Sequence, residues 1–257
     1  MRVSFFVAGM QKGGTTALDR HLRTHPGIEM ASKKEVHFFD NEALDWLNPD
    51  YDLLHAHYQK ADAAVLKGEA TPIYTYWPNS LERLKQYNPA AKLIVCLRHP
   101  AYRAWSHWKM ETTRGAETLS FEDAISEAGR DRVRHAPGGV HRVFSYVERG
   151  FYGKQVTRML ALFPRSQLHF VKTDDLWCDA GTTLNGLCTF LGLAGMEQPD
   201  QAYVVPVDSS ALGDIPAGAR EALDGLYRHD VRATAAMTGL NLDDWLDADY
   251  MEMPSKG

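Results

Sequence analysis

Apolar and polar residues follow two patterns along the chain. Short continuous apolar runs, typical of buried strands, lie at 3–8, 92–98 and 167–172, and a weaker one lies at 63–66. Longer stretches with helical periodicity separate these runs. The predicted helices cover 15–24, 79–87, 100–113, 119–128, 145–163 with a break at 150–152, 182–191 and 217–238. The stretch RDRVRHAPGGVHR, within 129–143, is basic and contains glycines, so we expect a mobile surface loop there.

Strands that alternate with helices predict an α/β fold with a P-loop-like, doubly wound and mainly parallel central sheet flanked by helices. A length of 257 residues fits a single domain over 1–257. Ligands of such sheets bind at the carboxyl ends of the strands. The residues that follow each predicted strand are therefore the first candidates for a functional site.

A glycine-rich turn follows the first predicted strand, in the segment VSFFVAGMQKGGTTALDRHL. Gly9 and Gly14 have the glycine spacing of a Walker A loop, G-x-x-x-x-G-K-[ST]. Thr15, however, stands where that loop has its lysine, and the local lysine is Lys12. The turn therefore differs from a triphosphate-binding loop at the position that matters most for triphosphate chemistry.

The same turn has the donors that an anion site needs. The backbone N–H groups of Gly13, Gly14, Thr15 and Thr16 come at the start of a helix, with two threonine hydroxyls and the Lys12 ammonium group beside them. This pattern predicts a bound anion. A tight strand-to-helix turn with a threonine N-cap would give the same residues without any ligand.

Arg98 ends the apolar run KLIVCLR, where a P-loop NTPase normally carries a metal-holding aspartate. Arginine does not hold a metal, but it binds phosphate bidentately. Ser106 follows two turns into the next helix, within reach of the same phosphate. Two anion sites without an obvious metal carboxylate predict a nucleotide with phosphates at two separate places. An ordinary ion pair at Arg98 and a solvated Ser106 remain alternatives.

The overall composition narrows the class of protein. The apolar fraction of 44% and the charged fraction of 24% are ordinary for a soluble globular protein. The net charge of -5 argues against non-specific binding of nucleic acid. Cys96, Cys178 and Cys188 are too few and too scattered for a disulfide framework or a zinc site. No run approaches the roughly 20 apolar residues of a membrane span or the form of a signal peptide, so we expect a cytoplasmic protein.

Four further motifs occur in order along the chain: QKGGTT at 11–16, KEVHFFD at 34–40, GEATPIY at 68–74 and LRHPAYRAWSHW at 97–108. Together they resemble the PAPS-dependent sulfotransferases, in particular the branch that contains the heparan sulfate N- and 3-O-sulfotransferases and bacterial relatives. GFYGKQVTRMLALFP and the closing DDWL are similar to the same branch. The resemblance covers nearly the whole chain. It implies the sulfotransferase fold, PAPS as co-substrate, PAP as product and no catalytic metal.

The resemblance also implies roles for the residues that match on the donor side. Lys12 to Thr16 would bind the 5′-phosphosulfate, and Lys12 would contact the oxygen that bridges sulfur and phosphorus. Arg98 and Ser106 would bind the 3′-phosphate, which distinguishes PAPS from other adenine nucleotides.

On the acceptor side, Glu35 occupies the position of the general base in EVHFFD. An alcohol is a poor nucleophile until a base takes its proton as the new bond forms. His37 stands at i+2, so an extended segment would point both side chains the same way and let His37 act as an assisting or alternative base. A surface salt bridge of Glu35 with Lys33 or Lys34 would explain the same residues without catalysis.

Four more residues are predicted to line the acceptor cleft, although aromatic residues at this spacing also suit a core: Thr71, Tyr74, Trp77 and Trp105. Two departures from the family pattern bear on the acceptor. Ala70 replaces the lysine of an E-K-T-P motif, and the basic K-G-R-type loop that closes over the nucleotide is not recognisable in 200–216. The basic residues of 130–142 are a candidate replacement for that loop.

These features predict an O-sulfotransferase with a small or medium-sized hydroxyl acceptor, such as a sugar, a glycolipid or a natural product. The missing lysine and the acidic net charge argue against a highly sulfated polysaccharide. An amine group remains an alternative to a hydroxyl group as the acceptor. Two other classes of protein also stay open: a P-loop kinase or NTPase with a degenerate Walker A loop, and a non-catalytic nucleotide-binding module.

Overall fold

The computed structural model describes residues 1–59, 64–196 and 212–252. The strands in these ranges are β1 (Phe5–Gly9), β2 (Ile28–Met30), β3 (Leu66–Ala70), β4 (Lys92–Leu97) and β5 (Leu168–Lys172). The helices are α1 (Thr15–Thr24), α2 (Asp52–His55), α3 (Ser80–Tyr87), α4 (Pro100–Thr113), α5 (Phe121–Ile125), α6 (Glu127–Arg134), α7 (Tyr152–Leu162), α8 (Thr173–Cys178), α9 (Ala180–Leu191) and α10 (Ala217–Thr238). None of these helices is long and apolar enough to cross a membrane.

The described strands form one sheet with the order β2-β3-β1-β4-β5. Every neighbouring pair in it is parallel. Strands β2 and β3 lie on one side of β1, and β4 and β5 lie on its other side, so the order of the strands in space differs from their order in the chain. This topology confirms the predicted doubly wound parallel sheet.

The chain divides into two compact units that interleave along the sequence. Of the described residues, 1–59, 64–97 and 158–196 belong to the first unit, and 98–157 and 212–252 belong to the second. The whole sheet lies in the first unit. A single functional domain over 1–257 remains a prediction.

The core of the first unit lies against one face of the sheet. Alternate residues of neighbouring strands point to this face, such as Phe5 and Val7 of β1 and Ile94 and Cys96 of β4. The helical side chains that complete it are Leu18, Leu22, Leu184, Leu187 and Leu191. Each fully buried large side chain of this kind stabilises the fold by about 1.5–3 kcal/mol.

The predicted mobile loop at 129–143 is wrong over its first half, which belongs to helix α6. Ser126 caps this helix, because its Oγ accepts a hydrogen bond from the Gly129 N–H (3.1 Å). Three arginines of the basic stretch are paired with carboxylates. The pairs are Arg130 with Glu148 (2.8 Å), Arg132 with Glu117 (2.8 Å) and Arg134 with Asp131 (2.8 Å). These contacts give the basic residues a structural role inside the second unit.

Most other helix predictions agree with the structure, and α1 and α10 have the predicted bounds. The predicted helix over 119–128 is instead two short helices, because the chain leaves helical geometry at Ser126 (φ -63°, ψ 163°). The weak strand prediction at 63–66 begins too early, since β3 runs from Leu66 to Ala70. Most of the irregular region expected at 195–216 lies outside the described residues.

Candidate active site

The turn after β1 folds against the end of β4, its neighbour in the sheet. The Met10 N–H donates to the Cys96 carbonyl (3.0 Å), and the Gly13 N–H donates to the Met10 carbonyl (2.9 Å). A Cβ atom on Gly13 would lie 2.4 Å from the Cys96 carbonyl oxygen, so only glycine allows this approach. Lys12 has a φ of 69°, a left-handed conformation that lysine seldom adopts. The surrounding structure therefore holds the Lys12 backbone in an unusual conformation.

Helix α1 begins directly after this turn. Its N-cap is Gly14, with a φ of 86°, and glycine offers no side chain to cap the helix. The first-turn N–H groups of a helix have no intrahelical acceptors, and the helix dipole makes this end positive. Thr15 is buried and Thr16 is half-buried. The arrangement of residues 13–16 therefore suits a phosphate or sulfate group.

The turn is also tied to the end of β5. The Thr173 hydroxyl lies 2.8 Å from the Gly13 carbonyl and 2.9 Å from the Leu97 carbonyl. Thr173 is fully buried and is the first residue of α8. This contact fixes the carbonyl side of the glycine turn and joins three neighbouring strand ends.

Glu35 and His37 lie in a turn that is not extended. Both residues have positive φ values, 60° and 58°, so the prediction of an extended segment is wrong. The reason is a set of hydrogen bonds to the end of β3. The Glu35 N–H donates to the Ala70 carbonyl (2.9 Å), and the His37 N–H donates to the Thr71 hydroxyl (3.4 Å). Positive φ values at non-glycine residues, here at Glu35 and His37 on either side of Val36, occur preferentially at functional sites.

The turn nevertheless brings the two predicted side chains together. His37 Nε2 lies 3.6 Å from Glu35 Oε2, and Lys34 Nζ lies 2.6 Å from Glu35 Oε1. On its other side, His37 Nδ1 lies 2.8 Å from Oδ2 of Asp40, which is fully buried. Sequence analysis missed Asp40, although its position three residues after His37 in EVHFFD could have drawn attention to it. The three residues form a carboxylate–imidazole–carboxylate array.

The charges of this array are strongly coupled. Burial acts to raise the pKa of Glu35, but His37 and Lys34 outweigh burial and lower that pKa to about 2. Hydrogen bonds to Asp40 and Glu35 raise the pKa of His37 to about 9. At neutral pH the array therefore holds an ionised Glu35 beside an imidazolium ion.

A second carboxyl group lies beneath the turn. Glu69 is fully buried, and its Oε1 accepts hydrogen bonds from the Thr71 hydroxyl and from the Val36 N–H (3.4 Å). Its Oε2 has no hydrogen-bond partner among the described residues. Burial raises the pKa of Glu69 to about 7. Sequence analysis gave Glu69 no role, but the structure shows that it supports the strained turn.

Thr71 and Tyr74, predicted to contact the acceptor, are both fully buried. Thr71 bonds to the His37 backbone, and the Tyr74 hydroxyl accepts from the Phe38 N–H (3.2 Å). The contacts seen here are with the turn, and a direct contact with an acceptor remains a prediction. Trp77 is half-buried, and its Nε1 donates to Glu42 Oε1 (3.0 Å).

The glycine turn and Glu35 lie at the same edge of the sheet. Strands β1 and β3 are parallel neighbours, so their carboxyl ends meet there. The glycine turn follows β1, and the Glu35 N–H is bonded to Ala70 at the end of β3. Within the first unit, the structure thus unites the two predicted halves of the site.

The other predicted residues belong to the second unit. Arg98 is its first residue, and its carbonyl accepts a hydrogen bond from the Tyr152 hydroxyl (2.7 Å). Ser106 is half-buried on α4. Trp105 is only 7% exposed and stacks on Trp108 with ring centroids 4.8 Å apart, so its visible role is packing.

Sequence analysis did not single out Lys109, which lies on α4 three residues after Ser106. Burial lowers the pKa of Lys109, and the nearby positive charge of Arg98 lowers it further. The two cations are therefore close enough to repel one another. Such a pair favours a bound anion.

Comparison with known proteins supports one family. Residues 3–204 match the model of the sulfotransferase domain. The mouse (Mus musculus) heparan sulfate glucosamine 3-O-sulfotransferase 6 is 32% identical over 191 residues, which are 73% of this chain and 51% of the mouse protein. The chain thus spans about half the length of the curated relatives it matches.

Solved structures agree with this assignment. The sulfotransferase from Alicyclobacillus acidocaldarius matches with a TM-score of 0.79 and 28% identity, over 96% of this chain and 100% of that one. The sulfotransferase domain of the curacin biosynthetic pathway matches with a TM-score of 0.57 and 16% identity, over 93% and 98%, and so supports the fold alone. The fold, the ordered motifs and these matches lead to one conclusion: the chain belongs to the sulfotransferase family.

Proposed function

We propose that this chain transfers a sulfuryl group from PAPS to a hydroxyl group and releases PAP. The observation that carries the proposal is the position of the ionised Glu35. It lies in a strained turn at the sheet edge that also holds the glycine turn and the N-terminus of α1, an arrangement that suits an anion. Sulfuryl transfer, like phosphoryl transfer, needs an aligned nucleophile, dispersed charge and a stabilised leaving oxygen.

The donor side rests on the turn of residues 12–16. PAPS supplies the sulfuryl group and an oxygen that must accept negative charge when the bond to sulfur breaks. Gly13 leaves the backbone open where a Cβ atom would fill the turn, and the N-terminus of α1 favours negative charge. Lys12 stabilises the charge that develops on the bridging oxygen. These residues fit the 5′-phosphosulfate group.

The acceptor side rests on the Glu35 array. Glu35 takes the proton of the acceptor hydroxyl as that oxygen bonds to sulfur. His37 acts as an imidazolium that holds Glu35 in place, since a pKa of about 9 leaves it protonated at neutral pH. Asp40 in turn orients the imidazole ring through Nδ1. His37 is therefore an assisting residue in this proposal, and Glu35 is the base.

The 3′-phosphate is assigned to the second unit. Arg98 binds it bidentately, and Ser106 donates a hydroxyl hydrogen bond. Lys109 adds a second positive charge to this part of α4. We assign no segment to the role of closing over the nucleotide. Most of 200–216 lies outside the described residues, and the arginines of α6 already have carboxylate partners.

The acceptor is proposed to be a sugar, a glycolipid or a natural product of small or medium size. The names of the curated relatives describe sulfation of a glucosamine in heparan sulfate, which supports a sugar hydroxyl as the acceptor class. Two features favour a less anionic acceptor than heparan sulfate. Ala70 is a small buried residue where the related motif has lysine, and the chain has a net charge of -5. Free thiols at Cys96, Cys178 and Cys188 fit a reducing cytoplasm, where we propose that the enzyme acts.

Replacing Arg98 by alanine tests the nucleotide assignment. We expect the wild-type protein to bind PAP more tightly than AMP, because Arg98 contacts the extra phosphate. The substitution should weaken PAP binding by on the order of tenfold to a hundredfold, as for a lost charge-assisted hydrogen-bond pair, and should leave AMP binding unchanged. Isothermal titration calorimetry at fixed salt measures both.

The matched control is Arg114→Ala, which removes the same charge from an exposed position at the C-terminal end of α4. It should change neither affinity. Equal binding of PAP and AMP by the wild type, with no effect of Arg98→Ala, would refute the assignment.

Replacing His37 by asparagine should change the pH dependence of the reaction. In the wild type, the acid limb should lie near the Glu35 pKa of about 2, well below the ordinary value of 4.5, and activity should also fall as pH rises through about 9, where His37 loses its proton. Without the imidazolium, the pKa of Glu35 moves up, so the acid limb of kcat/KM should shift to higher pH. The alkaline limb should disappear. A pH profile with both limbs unmoved would contradict the role given to His37.

A further inference from the structure

The side chain of Arg98 is already engaged by a carboxylate of the same unit. Arg98 Nε donates to Glu252 Oε1 (2.6 Å), and Nη2 donates to Oε2 of the same residue. The two side chains are only 17% and 10% exposed. Two parallel N–H···O bonds are the geometry with which arginine binds either a carboxylate or a phosphate. Glu252 thus makes the kind of contact that a phosphate would make.

Glu252 is brought there by a docked segment, residues 247–252, here called the C-terminal strap. The ring of Tyr250 stacks on His99, with centroids 4.9 Å apart and planes 15° apart. Arg220 Nη1 donates to the Tyr250 carbonyl (3.2 Å). His99 directly follows Arg98 in the chain, so this stacking positions Glu252 beside Arg98.

Part of the strap is exposed to solvent: Asp249 is exposed, and Met251 is 75% exposed. Its anchors include Tyr250, which contacts His99, Tyr102 and Arg220, and the Glu252 carboxylate. Ordering such a segment costs conformational entropy. A segment of this kind can leave its site when a ligand takes over the main electrostatic contact.

The charges favour such an exchange. The positive charge of Arg98 lowers the pKa of Lys109, whereas the negative charge of Glu252 acts in the opposite direction on both residues. Glu252 brings one negative charge to this pair of cations, and Asp214 also acts on Lys109. A phosphate group carries up to two negative charges and three acceptor oxygens, so it satisfies the pair better than Glu252 does.

We propose that Glu252 competes with the 3′-phosphate of the nucleotide for Arg98. The C-terminal strap thereby sets how strongly the protein discriminates between nucleotides with and without that phosphate. This inference rests on the proposed function, which assigns Arg98 to the 3′-phosphate. In the strap-closed state Arg98 is occupied, so the apparent affinity for PAP is lowered by the fraction of molecules in which the strap is open. AMP lacks the competing group, and its affinity does not depend on the strap.

The test compares Glu252→Gln with Asp249→Asn, which neutralises an exposed carboxylate of the same strap. Glutamine keeps the size of the side chain and weakens its hold on Arg98. We expect Glu252→Gln to bind PAP about tenfold or more tightly than the wild type and to bind AMP unchanged. Asp249→Asn should match the wild type for both. Affinities are measured by calorimetry with the full chain at one salt concentration, and thermal unfolding confirms that each variant is folded.

Hydrogen exchange provides a second readout without any substitution. PAP should increase amide exchange in 247–252 of the wild-type protein, because the strap is displaced, whereas AMP should leave it unchanged. Unchanged or weaker PAP binding by Glu252→Gln, or protection of the strap by PAP, would overturn the proposal. In either case, the assignment of Arg98 to the 3′-phosphate still holds if Arg98→Ala weakens PAP binding. If neither the wild type nor Glu252→Gln prefers PAP over AMP, the proposed function itself fails.

Discussion

Replacing Glu35 by glutamine should reduce kcat by about 10²–10⁴-fold, the usual contribution of a general base. Glutamine has the same shape as glutamate, so the backbone bond from residue 35 to Ala70 and the positive φ of the turn should persist. The affinity for PAP should change little, because the loss lies in proton transfer and not in nucleotide binding. Steady-state kinetics with an active acceptor, together with PAP titration, separates these two effects.

The carboxylate of Glu122 offers a control for this substitution. It is exposed in the first turn of α5, away from the candidate site residues in sequence. Glu122→Gln should therefore retain the wild-type kcat. A Glu35→Gln enzyme with full activity would show that another group takes the proton, and the array with His37 and Asp40 would then be structural.

Replacing Lys12 by methionine should lower kcat by about 10²–10³-fold, the range for loss of one preorganised group that stabilises transition-state charge. Methionine keeps the length of the side chain and removes its charge. Lysine and methionine at position 12 are subject to the same backbone strain at a φ of 69°, so the comparison isolates the effect of the charge on kcat. The effect should fall mainly on kcat, since the charge on the bridging oxygen develops as the bond to sulfur breaks.

Two further variants sharpen this prediction. Lys12→Arg keeps the charge and should recover part of the lost activity. Lys154→Met removes an exposed lysine of α7 and should have no effect. A rise in KM alone, with kcat preserved, would place Lys12 in substrate binding and contradict a role in stabilising the leaving group.

The sequence predicted the local structure of the glycine turn better than that of the turn around Glu35. The glycine turn and α1 follow from local signals: an apolar run, two glycines and a helical pattern that ends before His25-Pro26. Lys12, Gly13 and Gly14 needed no knowledge of distant residues. Strand β2 was missed because it has three residues, too few to show a period.

The geometry around Glu35 depends on distant parts of the chain. The left-handed turn is held by Ala70, Thr71 and Glu69, which are more than 30 residues away, and no local pattern signals positive φ at glutamate or histidine. The pairing of Arg98 with Glu252 spans 154 residues. Sequence patterns indicate which residues carry charge, but tertiary contacts decide which charges meet.

PAPS that carries radiolabelled sulfur gives a direct assay of sulfuryl transfer by this protein. The protein is incubated with a panel of sugar, glycolipid and natural-product acceptors in the presence of EDTA, with Glu35→Gln in parallel. We expect a labelled acceptor and an equal amount of PAP from the wild type, with little of either from the variant. Failure to label any acceptor, together with tight binding and turnover of ATP and Mg²⁺, would contradict this expectation and identify a P-loop kinase or NTPase. Turnover of neither nucleotide would instead indicate a non-catalytic binding module.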